Sequence, residues 1–160
     1  MKKILLIGFV CLVMLGIVVT PVSANTKIPI TGTSELEETL GLDDDWISGK
    51  IYHFRGLQER YTCDFSDDRL DGDSIQSSNG NLYIVNEFFG YGPIWGTDYL
   101  ENEGGSWTGS YTGKLTADGG NNFIEILHGH GGYEGYTAII RTYRENFLEP
   151  LTTEGVLIIP

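Results

Sequence analysis

The amino-acid sequence predicts an all-β protein: a single antiparallel β-barrel of about eight strands behind an N-terminal signal peptide. Three observations predict it. Apolar and polar residues alternate with a period of two in short runs along the chain. Glycine-rich turns separate those runs, with 22 glycines in 160 residues. Beyond the leader, no stretch keeps a helical period for long.

The clearest strand covers residues 105–115. Trp107, Gly109, Tyr111, Gly113 and Leu115 share one face, and Thr108, Ser110, Thr112 and Lys114 the other. Aromatics spaced by glycine suit the inside of a tightly curved sheet, where large and small side chains must alternate.

The leader has its own pattern. Lys2 and Lys3 precede an apolar run over residues 4–19, and Val22-Ser23-Ala24 supplies small residues for cleavage after Ala24. The competing reading is a retained membrane anchor, because the run is near the shortest span. Cys11 lies inside the run, too early for a lipid-modified first residue. The expected division is a signal peptide over 1–24, an acidic arm over 25–45 and a barrel domain over 46–160.

The full chain has 22 acidic and 10 basic side chains, a net charge of −12. Cleavage removes two lysines and leaves 136 residues at −14. That length fits one domain with one core. Such a charge disfavours nucleic acid and anionic membrane surfaces, both polyanions. The expected location is secreted or extracytoplasmic, with no membrane association after cleavage. Cys63 alone remains, so no internal disulfide forms. It alternates with Tyr61 and Phe65, which predicts a buried thiol.

In the arm, Ser34 and Glu37 make a capping-box pattern, predicting a short helical turn over residues 35–40. Its consecutive acids, Asp43 to Asp45, predict a solvated arm or a plug across one barrel end rather than a calcium loop. Strands are then expected over 47–55 and 59–65, joined by a hairpin at Gly56-Leu57-Gln58. Residues 66–73 read as a turn in which an Asp side chain binds local backbone N–H groups and Arg69 pairs with a carboxylate. Asn79-Gly80 is a turn signal. The strand over 82–89 is apolar on both faces, which predicts cover on each side or a homo-oligomer contact. Trp95, Thr97 and Tyr99 share a face of the next strand. Ile124, Ile126, His128 and His130 share a face of another, and Gly131-Gly132 permits a bend. Residues 155–159 form a last apolar strand that can close the barrel against the first.

Several local patterns resemble a group of small secreted prokaryotic proteins of unknown function. They are Ser66-Asp67-Asp68-Arg69 followed by Gly72; Trp95-Gly96-Thr97; residues 101–109, Glu-Asn-Glu-Gly-Gly-Ser-Trp-Thr-Gly; and residues 129–135, Gly-His-Gly-Gly-Tyr-Glu-Gly. That group is similar in fold to the allene oxide cyclase and dirigent barrels, a calycin-type architecture. In it a proline often follows the Asp of the first motif, where this chain has Asp68. The resemblance implies an eight-stranded barrel. It transfers no reaction, because the matching residues are mostly glycines, aromatics and turn formers.

One constellation carries chemistry. His128-Gly129-His130 places two imidazoles on one side of a strand, where they can chelate a divalent metal, and Glu134 can add a carboxylate. The spacing also resembles the first metal motif of cupins. Asn122 and Arg141 stand where that motif has glycines, and no later histidine supplies its second half. The alternative keeps both histidines solvated near a barrel mouth, with no cofactor. Glu125 and Glu134 are expected to face solvent.

The expected function is that of a non-catalytic binder of a small, partly apolar or amphipathic ligand or of a partner surface. Trp95, Tyr99, Trp107 and Tyr111 would form the walls, with Arg69 as a polar contact. Two enzyme readings stand beside it. One is a cyclase or isomerase shaping a lipid-like substrate, as the resemblance implies. The other is a metal-dependent enzyme using His128, His130 and Glu134.

Overall fold

A computed structural model describes residues 25–85, 90–146 and 152–160. The expected leader over 1–24 and part of the strand expected over 82–89 lie outside the described residues. Among the described residues nine strands form one antiparallel sheet: β1 (Thr26–Gly41), β2 (Asp44–Ser48), β3 (Ile51–Phe65), β4 (Gly72–Ile84), β5 (Gly90–Asn102), β6 (Gly105–Leu115), β7 (Asn121–Gly131), β8 (Thr137–Arg144) and β9 (Thr152–Ile159). The sole helical element among the described residues is a 3₁₀ turn, Asp68–Leu70.

The sheet closes in a ring. From β3 to β9 each strand pairs with the next in sequence. β1 then pairs with β9 through Thr26–Gly32 and with β3 from Gly32 onward. Strand β2 pairs only with β3, so eight strands go round and β2 lies outside the closure. Closure gives each of these eight strands two partner strands, with β1 bridging β9 and β3 in succession, and so shortens the free edges that invite aggregation.

Period-two alternation decides what faces in. On β6, Trp107 and Tyr111 are buried while Thr108, Ser110, Thr112 and Lys114 are exposed. Small residues on neighbouring strands make room for the aromatics. Gly96 lies opposite Tyr111, and a Cβ there would come within 2.7 Å of the Tyr111 ring. The interior apolar residues form two groups. One, at the end holding the 3₁₀ turn, contains Leu70, Phe65, Leu100, Trp107, Leu127, Tyr133 and Ile140. The other, toward the opposite end, is built on Phe54, Ile94 and Tyr111.

Three local readings are corrected. Residues 35–40 continue β1 rather than forming a helical turn, because the segment pairs with β3, and the ladder outweighs a local capping signal. The expected hairpin at Gly56-Leu57-Gln58 is a bulge within the continuous strand β3, with Gly56 at φ +63°, a conformation glycine adopts without strain. Asn79-Gly80 lies inside β4 rather than at a turn, with Gly80 against the Phe54 ring.

The turn after β3 forms as its residues predict. Asp67 Oδ1 accepts from the Arg69 backbone N–H, and the Arg69 guanidinium grips the same carboxylate at 2.6–2.7 Å. That guanidinium holds the Asp67 carboxyl below its ordinary range.

Candidate interior binding site

Between the two apolar groups lies a cavity of about 240 Å³. Inward positions of β3, β4, β5, β6 and β7 bring polar side chains to its wall. Glu59 and Tyr61 come from β3, Gln76 and Ser78 from β4, Asp98 from β5, Tyr111 from β6, and Asn121 and Glu125 from β7. The apolar remainder includes Phe54, Leu57, Ile94, Phe123 and Leu127. The site is therefore a polar belt between two greasy layers, with no Lys, Arg or His among the described residues of its wall.

Asp98 is the anchor of the belt and is 6% exposed. Ser74 Oγ donates to its Oδ1 at 2.5 Å, and Gln76 Nε2 donates to its Oδ2 at 3.1 Å. The Glu125 carboxyl faces the same cavity as that of Asp98 and interacts with it. Burial, and then the Asp98 charge, push the Glu125 carboxyl well above its ordinary value. Glu125 Oε1 is withdrawn from solvent and has no hydrogen-bond partner among the described residues. Asn121 is 9% exposed, and its Oδ1 is likewise buried and without a partner among the described residues. Buried polar atoms are normally satisfied, since leaving one unpaired costs about 1–3 kcal/mol. Both acceptors lie on one strand and belong to cavity-lining residues.

The phenols and the thiol of the wall are held neutral. Burial raises Tyr111 to about 12, opposed in part by its hydrogen bond with Ser78. Burial also raises Tyr61, which donates to Glu59 Oε2 at 3.0 Å. Cys63 is pushed up to about 11, chiefly by burial, and lies 3.5 Å from Ser34 Oγ. A thiol so raised is a poor nucleophile.

The residues expected to bind ligand scatter. Tyr111 lines the cavity. Trp107 is fully buried in the packed end, where its Nε1 donates to the Arg69 carbonyl at 2.7 Å and its ring stacks on Tyr133. Arg69 itself pairs with Asp67 and lies over the Tyr136 ring. Tyr99 is 41% exposed and donates to Glu101. Trp95 sits under the Arg55 guanidinium, which also covers Trp46. Their strand β5 turns its Asp98 face inward, so the Trp95–Tyr99 face is the outer one.

The expected metal set does not assemble. His128 and His130 are exposed on β7, with His130 Nε2 bonded to Thr108 Oγ1 at 2.7 Å, and Glu134 is exposed in the following turn. Among the described residues no three His, Cys, Asp or Glu side chains converge on a point. The reason is parity: β7 turns Phe123, Glu125 and Leu127 inward, so the histidines point away from the interior. Glu125, expected in solvent, is instead a wall residue, which period two alone does not reveal when isoleucines occupy the opposite face. Comparisons with protein-family models, curated proteins and solved structures find no match to this chain.

Proposed function

We propose that this chain is a secreted β-barrel that binds a small, partly apolar ligand inside the ring without transforming it. The observation that carries the reading is the cavity itself. Core side chains that fill the end around Trp107 leave about 240 Å³ unfilled around Asp98 and Glu125. Apolar walls with a few placed polar groups are the usual makeup of a ligand pocket, and this one is near the small end of their range. Eight strands in the ring agree with the resemblance to the allene oxide cyclase and dirigent barrels.

The test is small-molecule binding to the purified protein, followed by NMR. Cyclohexylmethanol is expected to shift resonances of Tyr111, Leu57 and Phe123. Leu57→Trp, which fills the space, is expected to abolish the shifts while the fold persists. Shifts confined to exposed residues would reject the reading.

A second reading is favoured by the raised Glu125 carboxyl: a bound substrate would meet it beside the Tyr111 phenol, the equipment of a proton-transfer isomerase or cyclase. Its mark would be conversion of a bound compound that Glu125→Gln stops without weakening binding.

A further inference from the structure

We propose that the ligand of this cavity carries a protonated amine, and that the amine docks against the Asp98–Glu125 carboxyl pair with its apolar part toward Phe123 and Leu57. The inference rests on the cavity reading above and specifies the ligand's chemistry.

Three observations lead there. The first is charge. The wall presents carboxyl groups from Glu59, Asp98 and Glu125 and, among the described residues, no basic side chain. Asp98 is nearly fully buried, yet the side chains that donate to it, Ser74 and Gln76, are neutral. A buried carboxylate is ordinarily paired with a cation or a metal, because taking it from water is costly. The described wall offers neither, so the missing partner is a cation that enters from outside. The second is hydrogen-bond sense. Glu125 Oε1, on the pair itself, is a solvent-shielded acceptor with no donor among the described residues. An ammonium group has three N–H donors and no acceptor. A carboxylate or phosphate ligand would bring only more acceptors and more negative charge. The third is layout. The pair lies between apolar layers, so a molecule with one charged end and a hydrocarbon body matches the wall along its length. Ordered water satisfies acceptors too, but water does not neutralise the buried charge of the pair.

Three probes of one shape test this: cyclohexylmethylamine, cyclohexylmethanol and cyclohexanecarboxylate, each titrated near neutral pH by calorimetry and NMR. The expected result is that the amine binds at least about tenfold more tightly than the alcohol, with the carboxylate weakest, since a charge-assisted hydrogen bond is roughly twice as strong as a neutral one. Asp98→Asn and Glu125→Gln are each expected to remove most of that preference, bringing the ratio of amine to alcohol affinity toward one. Glu125→Gln is the milder change, and far-UV circular dichroism verifies the fold of both. Alcohol binding as tight as the amine, or a preference for the carboxylate, would overturn the amine proposal and leave the cavity reading standing. A preference that survives both variants would overturn it as well. Failure of all three probes to bind would overturn the two together.

Discussion

Around Trp107, the polar tips that enter the interior are spoken for: the indole N–H reaches the Arg69 carbonyl, and the Tyr133 hydroxyl donates to Asn102 Oδ1 at 2.7 Å. The Asn102 amide in turn donates to the Asp71 carbonyl at 2.7 Å. Around Glu125, in the same ring and on strands that neighbour the first set, the described residues leave two acceptors without partners and a space unfilled. One end is packed and satisfied, as interiors are when stability governs them. The other region retains the costs that stability alone would remove. That contrast separates residues that hold the ring together from residues that face the cavity.

Substitutions can break the contrast. The largest effect is expected from Trp107→Ala, which empties the packed end: about 3–5 kcal/mol of stability lost in urea unfolding, the usual range for a buried large aromatic. A loss no greater than that of a surface substitution would show that the two regions are not built differently.

The pH response sharpens it next. Glu125 is raised from an ordinary value of 4.5, so above that pH the folded chain keeps a proton the unfolded chain has released. The folded state then binds more protons, and stability falls as pH rises through the window up to the raised value. The slope is at most about 1.4 kcal/mol per pH unit. In Glu125→Gln this decline should vanish, seen as unfolding midpoints that hold steady where those of the parent protein fall. Asp67, in the packed end, has the opposite sign. Its carboxyl is lowered from 3.8 by the Arg69 guanidinium, so its contribution is present above that value and is lost as pH falls below it. Asp67→Asn should flatten the acid limb and leave the neutral range alone.

A smaller effect is expected at Tyr111→Phe. It removes a hydroxyl bonded to Ser78 and leaves the ring in place, so about 0.5–1.5 kcal/mol should be lost. Smallest of all, His128→Ala and His130→Ala should change stability by less than about 0.5 kcal/mol, the norm for exposed positions away from special features. Chelator should leave the melting temperature unmoved. A chelator-sensitive melt would revive the metal reading of that pair.

How much of this can be read from the chain depends on what each strand shows. Strand β6 announces its inside because tryptophan and tyrosine alternate with threonine and serine. The Asp67–Arg69 turn announces itself because short-range chemistry fixes it. Strand β7 misleads: Ile124 and Ile126 look like core and are exposed, while Glu125 looks like surface and faces the cavity. Nothing local distinguishes the two parities, since only the pairing of Glu125 with Tyr111 and Ile140 sets which side is in. For the same reason the cavity is not legible in the sequence. Asp98 and Glu125 are 27 positions apart and meet only because β6 lies between their strands. Strand pairing likewise overrides the capping signal at Ser34 and the turn signal at Asn79-Gly80.

The seam of the ring has a consequence for how the chain acquires its shape. Thr26–Gly32 pairs with Thr153–Ile159, so the first and last strands of the sheet are neighbours. A chain emerging from N to C terminus can lay down β3 through β8 by successive hairpins, each a local event. The free flank of β8 must wait for the final strand, and the outer flank of β1 waits with it. The last contact to form spans the greatest separation in sequence, and such contacts are the slow ones. Until that strand arrives, the nascent sheet is an open ribbon with two sticky borders, and its window of risk is set by the time needed to deliver the eight residues of β9.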